Sequence, residues 1–252
     1  MKKYLILLSV MILIAAVSAL AEGGMKIVAF SDAGLEKDVE GITFDGGVLS
    51  VTAPGEYMLS GELTNGQISV DCAEEGKVTL YLNGVTVHTD SAAALLIGEC
   101  APKAVLSLVD GSENVFSNGA MAAPDEDEEP NGVIFSRSDL VIEGSGALRV
   151  TAVSADGIVS KDELEIRGGK ITVDAHRHGI KGKDCVEIYD GEISVTSGRD
   201  AIKSTNKKDD SRGYVAIRGG VISIRCGDEP IQFVTDCTIE NAKITFAMNK
   251  EE

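Results

Sequence analysis

Tryptophan is absent from this 252-residue chain, and aromatic residues of all kinds make up only 4% of it. A compact β-sandwich fills its core largely with big side chains, so this scarcity argues against such a fold. The chain also has no Cys-x-x-Cys pair, and its five cysteines are an odd number. These absences exclude a zinc-ribbon type of site and a fully paired disulfide framework within one chain.

Basic residues are few, because 23 Lys and Arg stand against 40 Asp and Glu, giving a net charge of −17. Such a surface repels nucleic acid and anionic membranes, so we expect neither as a partner. Its natural small partners are cations, which can bridge to an anionic ligand. The alternative is that the acidity serves solubility alone.

The amino terminus has the pattern of a secretory signal peptide over residues 1–21. Lys2 and Lys3 precede an apolar stretch over residues 4–17, and small residues follow at 19–21. The apolar run is shorter than the roughly 20 residues of a membrane-spanning helix. We expect export to the outside of the cell or to its surface, no membrane insertion after cleavage, and a mature net charge of −19.

A repeat of about 22 residues is the strongest signal in the sequence. Residues 156–166 (DGIVSKDELEI) recur at 178–188 (HGIKGKDCVEI) and again from residue 200 (DAIKS). Each unit continues through a turn into a second segment with period-two alternation, the mark of strands with one buried face. Turn pairs such as Gly168-Gly169 favour positive φ.

Strand chemistry at this period predicts stacked rungs, that is, a single-stranded parallel β-helix over residues 22–252. We expect residues 22–40 to form a cap, because an open strand edge recruits other chains. An up-and-down barrel or a β-propeller is the competing architecture, although propeller blades need about 40 to 50 residues each.

Stacking places residues one period apart about 4.8 Å from each other, so a sequence offset becomes a ladder of side chains. The offsets give four ladders: Asp156, His178, Asp200 and Glu229; Ser138, Asp162 and Asp184; Arg137, Lys161 and Lys183; and Lys181 with Lys203. Stacked carboxylates repel unless a cation lies between them. Either the lysines neutralise the aspartates, which then only shape the turns, or the aspartates and turn carbonyls coordinate Ca²⁺.

An acidic run over residues 125–129 (DEDEE) precedes residues 132–142, the first segment that clearly matches the repeat. Such a run is typical of a solvated loop. The alternative is that it borders a cation site.

Several motifs together resemble a family of secreted bacterial carbohydrate-binding domain proteins. They are residues 129–140 (EPNGVIFSRSDL), the Gly144-Ser145-Gly146 turn, the Asp-Gly-Ile repeats and the upstream segment 82–85 (LNGV). The resemblance covers about residues 41 to 246. The chain departs from the family's pattern at His178-Gly179, Asp200-Ala201 and Glu229-Pro230, where the repeat calls for Asp-Gly.

The resemblance implies a right-handed parallel β-helix, similar to pectate lyases, with calcium bound on one face. It implies acidic plant cell-wall polysaccharides such as polygalacturonate, and also cellulose, as ligands. Carried over by position, the expected calcium ligands are Asp156, Asp162, Asp184 and Asp200. The side chains expected to meet the sugar carboxylates are Arg137, Lys161, Lys181, Lys183 and Lys203.

Three functions fit these observations. The first is noncatalytic, calcium-dependent binding of an acidic polysaccharide. The second is a polysaccharide lyase, in which Ca²⁺ acidifies a proton and Lys181, Lys183 or Lys203 removes it. The third is a structural or adhesive surface protein. Lysines recur on successive rungs, as on a binding surface, whereas a catalytic base needs one singular environment; the sequence therefore favours binding.

Overall fold

The computed structural model describes residues 24–72, 74, 76–90, 93–98, 103–119 and 128–248. The predicted signal peptide and residues 125–127 of the acidic run lie outside the described residues. The described chain is all β, and it contains no helix long and apolar enough to cross a membrane. Its strands are β1 (Lys26–Ser31), β2 (Gly34–Leu35), β3 (Ile42–Asp45), β4 (Val48–Val51), β5 (Gly55–Leu63), β6 (Gln67–Val70), β7 (Val78–Thr89), β8 (Leu95–Ile97), β9 (Lys103–Leu108), β10 (Glu113–Asn118), β11 (Gly132–Ser136), β12 (Asp139–Gly144), β13 (Ala147–Ala152), β14 (Asp156–Ser160), β15 (Glu163–Ile166), β16 (Lys170–Ala175), β17 (Ile180–Gly182), β18 (Cys185–Ile188), β19 (Glu192–Ser197), β20 (Ile202–Ser204), β21 (Tyr214–Ile217), β22 (Val221–Cys226), β23 (Ile231–Gln232), β24 (Cys237–Ile239) and β25 (Lys243–Met248).

The strands form two sheets, and nearly all pairs are parallel. The nine-stranded sheet has the order β23-β20-β17-β14-β11-β8-β6-β4-β3. The sixteen-stranded sheet follows β24-β21-β18-β15-β12-β9-β7-β10-β13-β16-β19-β22-β25, with β5, β1 and β2 leading away from β7. Neighbours in a sheet thus come from successive repeats of the sequence. This solenoid-like stack is consistent with the predicted β-helix and differs from an up-and-down barrel, whose neighbouring strands are antiparallel. The hand and closure of the coil stay predictions.

The strand registers confirm the predicted stacking of side chains. Ile158 in β14 pairs with Ile180 in β17, which pairs with Ile202 in β20. Each partner is 22 residues further along the chain. Lys181 pairs with Lys203 in the same way. Residues that share a position in the repeat therefore lie one above another on the same side of the nine-stranded sheet.

The core consists of columns of aliphatic side chains that point between the sheets. One column contains Ile142, Ile166, Ile188 and Ile217, all with 0% of their surface exposed. Burial of such a side chain stabilises the folded state by about 1.5–3 kcal/mol. Because each isoleucine packs on the next, the core is continuous along the stack and holds the surface ladders at fixed heights.

Glycines lie in the turns that connect consecutive strands of the sixteen-stranded sheet, such as β15 to β16 and β18 to β19. Gly169, Gly191 and Gly220 have φ values of 96°, 129° and 91°, in the left-handed region that favours glycine. A Cβ atom on Gly220 would lie 2.7 Å from the carbonyl oxygen of Gly191. The turns of successive repeats therefore stack closely, and the predicted positive φ at these turn pairs is confirmed.

The two ends of the stack differ. At the amino-terminal end, β1 pairs with β5 in parallel and with β2 in antiparallel fashion, and β3 with β4 forms an antiparallel pair. At the other end, β23, β24 and β25 each pair with one neighbour among the described strands. The limits of the predicted cap, residues 22–40, stay a prediction.

Candidate functional site

Asp156 is fully buried at the start of β14. Its Oδ1 accepts a hydrogen bond from the backbone N–H of His178 (3.0 Å), and its Oδ2 accepts one from Lys181 Nζ (3.3 Å). Arg177 Nε lies 3.6 Å from Oδ1 and adds a second positive charge. Both carboxylate oxygens of Asp156 are therefore engaged by groups of the next repeat.

Asp200 has a similar environment further along the stack. Its Oδ1 accepts a hydrogen bond from the N–H of Glu229 (3.1 Å), and its Oδ2 accepts one from Lys203 Nζ (2.8 Å). Burial acts to raise the pKa of Asp200, but Lys203 and the N–H of Glu229 outweigh it and hold the pKa below its ordinary value. Asp200 is consequently a charged, paired carboxylate at neutral pH.

His178 occupies the level between these two aspartates and is buried. Its Nδ1 lies 3.4 Å from Asp200 Oδ2, and its Nε2 lies 3.4 Å from Lys203 Nζ. Burial lowers the pKa of His178 to about 4; the charge of Asp156 acts against this effect, and the charges of Lys203 and Lys181 add to it. The imidazole is therefore neutral at pH 7, and a neutral ring is a poor ligand for a hard cation.

Asp184 anchors the connection between β20 and β21. This buried carboxylate accepts a hydrogen bond from Asn206 Nδ2 (2.6 Å) and contacts the guanidinium of Arg212. Asp162 lies one repeat earlier and is half-buried, and its carbonyl oxygen accepts the N–H of Asp184 (3.1 Å). The predicted stacking of Asp162 and Asp184 is therefore confirmed for their backbones. The Asp184 carboxylate also fixes the loop between β20 and β21.

The arrangement of these four aspartates does not fit a calcium ion. In the described part of the chain no group of three or more His, Cys, Asp or Glu side chains is placed to hold a metal ion. Ca²⁺ takes six to eight oxygen ligands, whereas the oxygens of Asp156, Asp184 and Asp200 already accept from cations and amides. These contacts match the alternative in which lysines neutralise the aspartates. Calcium binding stays a prediction from the family resemblance.

A groove of about 490 Å³ runs beside the nine-stranded sheet, and we call it the lysine groove. Lys181 and Lys203 come from β17 and β20, while Lys161 and Lys183 follow directly after β14 and β17. Four of the five side chains predicted to meet sugar carboxylates thus line one groove. The lining lysines are Lys161, Lys181, Lys183, Lys203 and Lys207.

The lysine groove carries an excess of positive charge. Three of its lysines donate to carboxylates, which are those of Asp156, Asp200 and Glu129. Among the described residues Lys183 and Lys207 form no ion pair, and both are exposed. Five lysines against three carboxylates leave two uncompensated positive charges in a chain whose net charge is −17.

Arg137, the fifth predicted residue, reaches the lysine groove through Glu129. Glu129 Oε2 accepts a hydrogen bond from Arg137 Nη1 (2.7 Å), and Oε1 contacts the ammonium of Lys161. Burial acts to raise the pKa of Glu129, but Lys161 and Arg137 outweigh it and lower the pKa below its ordinary value. Glu129 is thus a charged carboxylate at the edge of the groove.

The sequence pattern missed two groove residues. Lys207 belongs to the insert that interrupts the 22-residue repeat, and Glu129 belongs to the acidic run that is typical of a solvated loop. Two tyrosines of the carboxy-terminal half, whose rings are of the kind that stack on sugars, lie elsewhere. Tyr189 and Tyr214 both donate to Glu187, and neither lines the groove.

A family model described as carbohydrate-binding domain-containing protein matches residues 45–252. The chain belongs to this family. For a carbohydrate-binding domain the expected ligand is a saccharide, so the lysine groove is the candidate place for it to bind.

The carbohydrate-binding domain has close relatives in sequence and in structure. A carbohydrate-binding domain-containing protein from Acetivibrio thermocellus is 41% identical over 229 residues, which cover 90% of this chain and 80% of the relative. The solved structure of a polysaccharide lyase-like protein from C. thermocellum, a gadolinium derivative, is 35% identical with a TM-score of 0.83. That match covers 88% of this chain and 90% of the solved chain.

Proposed function

We propose that this carbohydrate-binding domain binds an acidic polysaccharide, such as polygalacturonate, in the lysine groove without cleaving it. The observation that carries the proposal is the cluster of five lysines in an otherwise acidic protein. Ammonium groups form charge-assisted hydrogen bonds with the carboxylates of uronic acids. A neutral glycan would leave the two uncompensated charges without partners.

The lysines also suggest how the polymer lies. Four of them lie on, or directly after, successive strands of a parallel sheet, whose levels are about 4.8 Å apart. A polysaccharide that runs across the strands meets one level after another. The exposed ammonium groups of Lys183 and Lys207 are the ones available to its carboxylates, whereas Lys181 and Lys203 keep their aspartate partners.

The test is the affinity of the mature protein for polygalacturonate, compared with the methyl-esterified polymer. Exposed ion pairs contribute up to about 1 kcal/mol each, so replacing both Lys183 and Lys207 by Met is expected to weaken binding about fivefold to twentyfold. Lys170→Met combined with Lys243→Met is the matched control, because both lysines are exposed, on β16 and β25, and neither lines the groove. High salt is expected to weaken binding as well.

Equal binding of the free-acid and esterified polymers would contradict the proposal, because esterification removes the carboxylates. So would an equal loss of affinity in the Lys170→Met/Lys243→Met control, because that variant changes the net charge by the same amount without changing the groove.

A polysaccharide lyase is the second candidate, favoured by the similarity to the polysaccharide lyase-like structure from C. thermocellum. Lyase action creates an unsaturated product that absorbs in the ultraviolet. Incubation of the protein with polygalacturonate, with and without Ca²⁺, distinguishes the two functions. We expect binding with no rise in absorbance, because three of the five groove lysines hold structural carboxylates. A steady rise that requires Lys183 would replace our proposal with the lyase.

Calcium dependence is tested in the same titration with chelator-stripped protein. Direct contact between lysines and sugar carboxylates predicts an affinity within about twofold with or without Ca²⁺. Loss of binding on chelation would support the calcium-dependent mode that the family resemblance implies. An extracellular polysaccharide also agrees with the predicted export, which amino-terminal sequencing of the secreted protein would test.

A further inference from the structure

Glu129 differs from the other carboxylates of the lysine groove in where it comes from. Asp156 and Asp200 belong to the repeat and lie beneath the lysines that they neutralise. Glu129 precedes β11 and enters the groove beside Asn131, with its side chain 22% exposed. It is therefore a carboxylate added to the groove from outside the repeat.

Glu129 bridges two successive cations of one ladder. Arg137 follows β11 and Lys161 follows β14, and the N–H of Lys161 donates to the carbonyl of Ser136 (2.9 Å), which places the two cations on adjacent levels. Glu129 holds one oxygen toward each of them. The spacing of this ladder thus accommodates a carboxylate between neighbouring levels.

Among the described residues, the next interval of the same ladder has no such bridge. The N–H of Lys183 donates to the carbonyl of Ser160 (3.0 Å), so Lys183 stands one level beyond Lys161. Its exposed side chain forms no ion pair among the described residues. One interval of the ladder is therefore filled by Glu129, and no carboxylate of the described part of the chain fills the following one.

We propose that Glu129 occupies the first of a series of carboxylate-binding positions in the lysine groove. It thereby determines where the contact between the groove and a bound acidic polysaccharide ends. The proposal rests on the proposed function, because it assigns the remaining positions to sugar carboxylates. Glu129 is then a specificity-determining residue that limits the number of uronic acid units in contact with the groove. Removal of its charge frees Arg137 and Lys161 for one more sugar carboxylate.

The experiment measures the affinity of oligogalacturonates of increasing length by calorimetry for the wild type, Glu129→Gln and Glu128→Gln. Glu128 is the matched control, because it is the exposed neighbour and its replacement causes the same change of charge. We expect Glu129→Gln to strengthen the binding of long oligomers about threefold to tenfold, which is the effect of one added ion-paired contact. The affinity for the shortest oligomer that binds should not change. Glu128→Gln is expected to change no affinity by more than about twofold.

A gain that is equal at all lengths, or equal in both variants, would show only a general charge effect and would overturn the proposal. Weaker binding by Glu129→Gln would do the same, since it would make Glu129 a support of the groove.

A second comparison uses Lys161, and its first part, made in the wild type, does not depend on how well Glu129→Gln folds. In the wild type Lys161 is engaged by Glu129, so Lys161→Met is expected to change affinity less than about twofold, whereas Lys183→Met weakens it several-fold. Added to Glu129→Gln, Lys161→Met is expected to abolish the gain. Equal losses for Lys161→Met and Lys183→Met in the wild type would refute the assignment. Absence of binding by the wild type would instead refute the proposed function itself.

Discussion

Lowering the pH from 7.5 to 4.5 is expected to destabilise the protein through His178. The ring is buried beside Lys203, and burial lowers its pKa from an ordinary 6.5 to about 4. Well above pH 6.5 the imidazole is neutral in both the folded and the unfolded chain, so it adds no pH dependence there. Below pH 6.5 the unfolded chain takes up a proton that the folded protein excludes until about pH 4. The free energy of unfolding should therefore fall by about 3 kcal/mol across this window.

Urea unfolding of the wild type and of His178→Gln, measured at half-unit steps from pH 7.5 to 4, isolates this contribution. The carboxylates titrate in both proteins, so the difference between the two stabilities reports the histidine. The wild type should lose its advantage as the pH falls. His176→Gln is the matched control, because its exposed ring lies two residues away. A difference that stays constant with pH, or that favours the wild type more strongly in acid, would refute the reasoning.

Three further substitutions test the fold and the groove. Gly220→Ala should lower the free energy of unfolding, measured in urea, by about 1–3 kcal/mol, because φ is 91° and the new Cβ would meet the carbonyl of Gly191. Gly111→Ala is the control and should cost less, because Gly111 has positive φ but open space around it. Ile180→Ala should cost about 2–5 kcal/mol because it opens a cavity in a continuous column, and a loss below about 1 kcal/mol would contradict that packing. Asp184→Asn should lower the free energy of unfolding by about 1–3 kcal/mol, because it weakens the contacts with Asn206 and Arg212. It should also weaken polygalacturonate binding as much as Lys207→Met does, because it releases the loop that carries Lys207. Unchanged binding would show that Asp184 does not position this lysine.

The sequence predicted the stack well, because its signals are local and repeated. The recurrence of Ile158, Ile180 and Ile202 at a 22-residue offset became a set of strand registers without a shift. The lysine ladders followed from the same offset, so Lys181 and Lys203 meet in one groove as expected.

The partners of the charged side chains could not be predicted in the same way. An offset gives the height of a residue along the stack, but it does not say which donor reaches a given oxygen. Lys181 donates to Asp156, 25 residues earlier in the preceding repeat, whereas Lys203 donates to Asp200, three residues earlier in its own repeat. The roles of Glu129 and Lys207 were missed because both lie in segments outside the repeat, where the period carries no information.

The strand registers give the proposed binding site a unit of length. Where two levels both carry a lysine at one position of the repeat, the two lie about 4.8 Å apart, so the site can grow only in whole steps. A copy of residues 178–199 inserted after β19 and before Asp200 would supply a second Lys181 and a second Lys183 in register with the first. Proteins built in this way can match longer polymers by duplicating one short stretch of coding sequence that carries both the lysines and the strands that hold them in register.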